Sequence, residues 1–322
     1  MADMSTDSPA GRPARLALAA ALACLGFAAP AASAQTIVKL GNGFENPFGV
    51  AVDSSGNVFV GDQSHNAVKE ILAASGYTVV KTLGSGFNIP QGVAVDDSGN
   101  VFVADFGDSA VYEILAAGGY TTVNRLGSGF NVPSGVAVDG SGNVFVADYG
   151  HNAVKEILAA GGYTTVNTVG SGLVNPAGVA IDGGGNVFVT DYGHGEVKEI
   201  LAASGYTTIE TLSSGFKFPE GIAVDGSGNV FVADAGHSAV KEILAAGGHT
   251  TVKTLGTGFN APNGVAVDGR GDVFVADSPY SAVYEILAPP PPPVPTLGTR
   301  ALLLCALLLA GAGCRGVRRR AA

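Results

Sequence analysis

The sequence has no tryptophan and only three cysteines in its 322 residues. The cysteines are Cys24, Cys305 and Cys314, and each lies in an apolar segment near one end of the chain. The long stretch between these segments therefore cannot contain a disulfide or a cysteine-bound metal. Charged residues make up only 14% of the chain, whereas 48 residues are glycine, and this composition indicates repetitive β structure.

Basic residues are also scarce outside the two ends of the chain. Seven of the 17 lysines and arginines lie in the terminal segments, but only two of the 27 acidic residues do, Asp3 and Asp7. The rest of the chain has ten basic and 25 acidic residues, a net charge of −15. Nucleic-acid binding depends on lysine and arginine neutralising phosphates, so this charge argues against a nucleic-acid partner.

Residues 1–34 have the features of a secretory signal peptide. Arg12 and Arg15 precede an apolar run, and the small residues at 32–34 form a cleavage motif. We therefore predict that the chain is exported and that cleavage leaves Gln35 as the first residue. A lipid attached to Cys24 is the less favoured alternative, because the residues before it lack the branched side chain usual in lipidation motifs.

The C-terminus predicts a spacer followed by a sorting signal. Residues 289–298 contain five consecutive prolines and the motif Val294-Pro295-Thr296-Leu297, and residues 299–322 contain a 13-residue apolar run and a basic end. The motif and tail resemble bacterial IPTL-type sorting signals, and more loosely PEP-type signals. The resemblance implies a sorting or processing enzyme as a partner and membrane contact before processing. A short transmembrane helix is the alternative, although roughly 17 to 25 residues normally span a bilayer.

Between these segments, residues 35–288 consist of one 43-residue unit repeated without insertion. Each unit contains four short β-prone runs separated by turn residues, such as GVAVD, NVFVAD, AVKEIL and TTVNTV. Periods of about 40 to 50 residues indicate propellers or solenoids. The first two runs are apolar at successive positions, which predicts strands covered on both faces by neighbouring blades.

The two ends of the repeat region predict a closed ring. The sixth unit stops at Ala288, before its fourth run, and residues 36–40 align with the fourth run of the first unit. The N-terminus therefore supplies the strand that the last unit lacks, and closure leaves no unpaired strand edge. We expect an all-β, six-bladed β-propeller whose N-terminal strand completes the last blade.

The segments Pro-x-Gly-Val-Ala-Val-Asp and Gly-Asn-Val-Phe-Val-Ala-Asp recur along residues 36–288. In these segments the chain resembles NHL repeats, and the resemblance implies the six-bladed propeller of that family. The chain departs from the family at its Asn-His-Arg/Leu core, which reads His151-Asn152-Ala153 in the third unit. Because the basic residue is missing there, the resemblance does not extend to the nucleic-acid-binding members.

Positions that differ between the units are candidates for ligand binding, because a requirement of the fold recurs in every unit. The loop entering the first strand and the turn after the second strand share one face of the predicted propeller, and both vary between units. On this variable face we predict that a ligand contacts Phe48, Gln91, Phe106, Tyr149, Tyr192, Glu220 and Asn263. The three aromatic residues from 106 to 192 would form an arc over blades two to four. Neutral variation in loops is the alternative.

Four histidines recur in one turn: His65, His151, His194 and His237. In a six-fold ring we expect neighbouring histidines about 10 Å apart, too far to share a zinc ion whose ligand atoms lie about 2 Å from it. Two series of aspartates recur in every unit, and we expect them to accept backbone N–H bonds in turns. No Ser-His-Asp or Cys-His set stands apart from the repeat, so we predict no metal, cofactor or catalytic residue.

The leading hypothesis is a non-catalytic protein of the cell surface or the extracellular space. It would bind a protein, peptide or glycan of the cell envelope or its surroundings through the variable face. The alternative is an enzyme similar to the propeller lyases and lactonases, with an active site at the mouth of the channel. A purely architectural protein without a dedicated ligand is a third possibility.

Overall fold

The structure is a computed structural model that describes residues 35–289, which form six antiparallel sheets of four strands each. The sheets are the blades of a six-bladed β-propeller, so the predicted fold class is confirmed. The predicted signal peptide, the sorting motif and the hydrophobic tail lie outside the described residues. Within the described residues, no helix is long and apolar enough to cross a membrane.

Each blade has an innermost, a second, a third and an outer strand. The innermost strands are β2 Pro47–Val52, β6 Pro90–Val95, β10 Pro133–Val138, β14 Pro176–Ile181, β18 Pro219–Val224 and β22 Pro262–Val267. The second strands are β3 Val58–Asp62, β7 Val101–Asp105, β11 Val144–Asp148, β15 Val187–Asp191, β19 Val230–Asp234 and β23 Val273–Asp277. The third strands are β4 Ala67–Ile71, β8 Ala110–Ile114, β12 Ala153–Ile157, β16 Glu196–Ile200, β20 Ala239–Leu244 and β24 Ala282–Ile286. The outer strands are β1 Ile37–Leu40, β5 Val80–Leu83, β9 Val123–Leu126, β13 Val166–Val169, β17 Ile209–Ser214 and β21 Thr251–Leu255.

We number the blades from one, which contains β2–β5, to six, which contains β22–β24 and β1. Single-turn 3-10 helices connect some of the strands in residues 35–289. They lie at Gln63–His65, Ala73–Ser75, Tyr149–His151, Ala202–Ser204 and Ala235–His237.

The hydrophobic core lies between successive blades. Phe145 of the second strand in blade three packs with Val187 and Ile200 of blade four, and equivalent clusters fill the other interfaces. Every second strand is buried along its whole length. The innermost strands are only partly buried, because their free edges border the axial channel. The predicted coverage on both faces therefore holds fully for the second strand and in part for the first.

A tight turn joins the first two strands of each blade, and the aspartate after the first strand organises it. In blade three, Asp139 Oδ1 accepts the N–H groups of Ser141 and Asn143, both at 2.8 Å. The equivalent bonds recur at Asp53, Asp96, Asp182, Asp225 and Asp268. These aspartates are turn residues, as the sequence predicts.

The ring closes between the two ends of the repeat region. β1 pairs in antiparallel fashion with β24, and Ile37 lies opposite Ile286 in this pairing. Next to it, the Leu287 N–H donates to the Thr36 carbonyl at 2.9 Å. The predicted closure of the last blade by the N-terminal strand is therefore confirmed, with the strand beginning at Ile37.

Near the axis, the blades approach so closely that only glycine fits at one position of the innermost strand. These glycines are Gly49, Gly92, Gly135, Gly178, Gly221 and Gly264. A β-carbon on Gly135 would lie 2.5 Å from the Ala177 carbonyl oxygen of the next blade, and one on Gly264 would lie 2.3 Å from that of Phe48. Such distances are far below van der Waals contact, so the glycines allow the blades to meet at the axis.

Gly135→Ala should destabilise the propeller, because the added methyl group must push two blades apart at the axis. We expect a loss of about 1–3 kcal/mol in the free energy of unfolding, the usual cost of overpacking. Gly140→Ala is the matched control, since nothing lies within 4 Å of a β-carbon at that position. Thermal unfolding measured by circular dichroism compares the two, and equal Tm values would contradict the close contact.

Candidate functional site

The variable face contains the mouth of the axial channel. The residues after the six recurring prolines lie around this mouth, and they include four of the predicted contact residues: Phe48, Gln91, Glu220 and Asn263. Phe48, Glu220 and Asn263 are half-buried and line a cavity of about 50 Å³, whereas Gln91 is buried. The fold thus brings residues that are far apart in sequence to one opening.

The rest of the channel is apolar. A further section of about 240 Å³ is lined only by valine, alanine and isoleucine from the six innermost strands. The channel has no polar side chain in this section, so its polar chemistry lies at the mouth.

Glu220 is the charged side chain that lines the cavity at the mouth. Burial raises the pKa of its carboxyl from the ordinary 4.5 to about 7, and no neighbouring charge contributes to this shift. A carboxyl with this pKa is partly protonated near neutral pH and can act as a hydrogen-bond donor or acceptor.

Asn263 comes from the next blade and lines the same cavity. Its Oδ1 atom is buried and has no hydrogen-bond partner among residues 35–289. Buried polar atoms usually have a partner, and an unpaired acceptor at an opening indicates a place where a ligand or water donates.

An aromatic ridge lies on the variable face. We use this name for Tyr149, Tyr192 and Phe218, whose rings follow one another over blades three to five. The Tyr149 and Tyr192 centroids are 6.1 Å apart, and Tyr192 stacks on Phe218 with centroids 5.3 Å apart. Phe218 is 49% exposed. The ridge therefore exposes the Phe218 ring to the solvent, whereas Tyr149 and Tyr192 are half-buried.

The ridge differs from the arc that the sequence predicts. Tyr149 and Tyr192 are neighbours as expected, but Phe106 of blade two has no aromatic ring partner among residues 35–289. Phe218 takes the third place instead. It precedes a recurring proline, so a comparison of the residues after the second-strand aspartates does not detect it.

The ridge lies near the charged group of the cavity. Burial raises the pKa values of both Tyr149 and Tyr192, and the negative charge of Glu220 raises them further. Both phenol groups therefore lie within electrostatic reach of the Glu220 carboxyl.

Blade four departs from the repeat next to this site. Thr190 is fully buried and replaces the alanine or glycine that the other blades have at this position. Its Oγ1 accepts the Gly178 N–H at 2.7 Å and donates to the Glu220 carbonyl at 2.5 Å. This hydroxyl fixes the backbone that carries Glu220. The sequence signals it only as a single departure from the repeat.

Gly195 is a second departure at the same junction. In other blades a polar side chain here caps the following blade, as Asn152 Oδ1 does by accepting the Asn175 N–H at 2.7 Å. Gly195 has no side chain, and its carbonyl accepts the Phe216 N–H at 3.1 Å instead. Phe218 follows with a φ of 53°. The same left-handed conformation recurs before the proline in blades one to four, at Asn46, Ile89, Val132 and Asn175, so it belongs to the repeat.

The recurring histidines bind aspartates within their own blades. His194 Nδ1 lies 2.8 Å from Asp191 Oδ2. His65, His151 and His237 have the same distance to Asp62, Asp148 and Asp234. Each of these buried aspartates also accepts a backbone N–H from the loop before the innermost strand. The pattern supports the expectation that both residue types belong to the architecture of the turns.

Asp191, His194 and Glu196 have ligand atoms within 4.8 Å of one another, a grouping that could hold a metal ion. Lys198 Nζ, however, lies 2.8 Å from Asp191 and 3.5 Å from Glu196. Burial disfavours the charge of Asp191, but hydrogen bonds from Lys198 and His194 outweigh this effect and hold its pKa below the ordinary value. Lys198 already pairs with both carboxylates, so a cation would have to compete with it for their oxygens.

Four segments of the chain match the NHL repeat family, at residues 87–111, 130–157, 173–200 and 216–243. Each segment runs from the loop before an innermost strand into the third strand of the same blade. A search of the curated proteins finds no match. The chain therefore contains NHL repeats within a six-bladed β-propeller.

Solved structures with the same fold include enzymes and a binding protein. A streptogramin B lyase is 11% identical, with a TM-score of 0.58, over 79% of this chain and 97% of that chain. A gluconolactonase from Xanthomonas campestris is 15% identical, with a TM-score of 0.67, over 79% and 90%. An auxiliary nutrient binding protein from Bacteroides ovatus is 14% identical, with a TM-score of 0.66, over 79% and 76%. At these sequence identities, the similarities show the fold alone.

Glu220→Gln should change how the stability of the propeller depends on pH. The carboxyl has a pKa of 4.5 in the unfolded chain and about 7 in the folded one. Its contribution to stability is therefore complete below the lower value and is lost as the pH rises through the higher one. Between about pH 4 and pH 8, the glutamine variant should gain about 1–3 kcal/mol in the free energy of unfolding relative to wild type.

Urea unfolding at both pH values measures this difference. Glu210→Gln is the control, because Glu210 is exposed on the outer strand of blade four and should show no such gain. If the two variants responded to pH in the same way, the burial of the Glu220 carboxyl at the mouth would be disproved.

Proposed function

We infer that this chain is a binding protein that holds a protein or peptide ligand against the variable face of the propeller. The observation that carries this proposal is the aromatic ridge beside the channel mouth. Aromatic side chains dominate the binding energy of interfaces when they are held in place by their neighbours. Tyr192 meets this condition, because Tyr149 contacts it on one side and Phe218 on the other.

The size of the cavity also favours a macromolecular ligand. Sites that enclose a small molecule usually have volumes of about 300–1,000 Å³. The cavity at the mouth has about 50 Å³, so it accepts one small group of a ligand whose remainder lies on the surface. A protein or peptide that lies along the ridge and inserts one side chain fits this geometry.

Tyr192→Ala should weaken ligand binding about tenfold or more, because it removes the central ring of the ridge. Tyr280→Ala is the matched control: Tyr280 is 50% exposed and lies after the second strand of blade six. Ligands for the test come from a random peptide library and a glycan array screened with the full chain. If the selected ligands lost affinity equally with both variants, the proposed site would be contradicted. If the chain bound only glycans, the proposed protein or peptide ligand would be wrong.

The proposal includes export to the cell surface or the extracellular space, since the sequence predicts a signal peptide and a C-terminal sorting signal. We expect mass spectrometry of the protein recovered from its native host to find a mature N-terminus at Gln35. An intact residue 1–34 segment on the recovered protein would contradict export through this signal.

An enzyme with its active site at the mouth is the second candidate function. The observation that favours it is the Glu220 pKa of about 7, which suits a general acid or base near neutral pH. If the chain opens lactone rings, Glu220→Gln should abolish the hydrolysis of gluconolactone, whereas Tyr280→Ala should not affect it. Absence of hydrolysis by the wild-type chain would remove this candidate for lactones.

A further inference from the structure

The cavity at the mouth accepts a group of only a few atoms. Its volume is about 50 Å³, and a cavity needs roughly 10–15 Å³ to hold a single water molecule. Residues of all six blades border it, and the large side chains beside the strand glycines are Glu220 of blade five, Asn263 of blade six and Phe48 of blade one, with the smaller Ser134 and Ala177 opposite in the ring. The cavity therefore selects its occupant by size before any other property.

The polar groups of Glu220 and Asn263 favour a donor of positive charge. The Glu220 carboxyl has no hydrogen bond or ion pair within residues 35–289, and the buried Asn263 Oδ1 has no hydrogen bond there. Both groups have lone pairs that can accept hydrogen bonds. The primary ammonium group of lysine meets these requirements. It has three hydrogen-bond donors, no acceptor and a positive charge in a small volume.

The aromatic side chains provide the surface that an ammonium group and its aliphatic stem prefer. Phe48 borders the cavity, and Tyr149 and Tyr192 lie within reach of the Glu220 charge. Cations are attracted to the faces of such rings, and the methylene groups of lysine pack against them. Lys217 lies 5.9 Å from the centre of the Phe218 ring, so the two tyrosines remain for the ligand.

We propose that the channel mouth binds a primary ammonium group, presented by a lysine side chain of a protein or peptide partner. The proposal rests on the binding function inferred above and specifies the ligand of that site. The ammonium group would lie between the Glu220 carboxylate and the Asn263 amide oxygen, with its stem against the tyrosines. The repeat region has ten basic and 25 acidic residues, and this net negative charge favours the approach of a basic partner.

The test uses the full chain and a peptide of one lysine flanked by glycines, blocked at both ends, with isothermal titration calorimetry as the measurement. The same peptide with acetyllysine, which keeps the aliphatic stem and replaces the ammonium group with a larger neutral amide, is the first comparison. Free butylamine is the second, because it separates recognition of the ammonium group alone from recognition of a lysine within a peptide.

We expect the lysine peptide to bind, and acetylation or Glu220→Gln to weaken it about tenfold or more. Acetylation combined with Glu220→Gln should weaken binding little further, because both changes remove the same interaction. Glu210→Gln should leave the affinity unchanged. Equal binding of the lysine and acetyllysine peptides, or no binding of either, would overturn the proposal.

Calcium and zinc titrations separate an ammonium site from a divalent cation site. Stoichiometric binding of either ion that Glu220→Gln abolishes, without binding of the lysine peptide, would also overturn the proposal. The proposed function has its own readout in the library screen. Library ligands could lose affinity with Tyr192→Ala but not with Glu220→Gln, and contain no excess of lysine. That result would support the binding face and contradict the ammonium site.

Discussion

The close approach of six glycines at the axis is the contact on which the rest of the structure depends. At Gly135 the backbone of one blade comes so near the carbonyl of the next that a methyl group has no room, and the same geometry recurs around the ring. This contact brings the innermost strands together and leaves a narrow channel between them. Since the residues before the glycines belong to the same strands, their side chains necessarily surround the mouth of this channel.

A regular ring of this kind makes its irregular positions conspicuous. Two of these irregular positions lie between blades four and five. Thr190 replaces the alanine or glycine of the other blades and donates to the Glu220 carbonyl, while Gly195 replaces a polar capping residue before Phe218. The repeated scaffold provides rigidity, and one altered junction provides the shape and charge of the site.

Several carboxylates of the molecule are buried, and they differ in their partners. The third-strand glutamates Glu113 and Glu285 are buried, and burial raises their pKa values. Those of the turns and second strands accept backbone N–H groups, and Asp191 also has His194 and Lys198 beside it. Glu220 has none of these partners within the described residues, and burial alone raises its pKa to about 7. Burying a charge without compensation costs free energy, and the ligand that we propose would supply the partner that this carboxyl lacks.

The sequence by itself determined the fold, because the 43-residue period, the buried second strand and the missing sixth outer strand admit one closed arrangement. It also indicated the variable face and the candidates Glu220, Asn263, Tyr149 and Tyr192. Only the tertiary structure decided which of these residues meet and which stand apart. Phe218 joins the ridge and Phe106 does not, since the contacts depend on distances between blades that no spacing within one unit encodes. The burial that shifts the Glu220 pKa is likewise a property of neighbours brought together by ring closure.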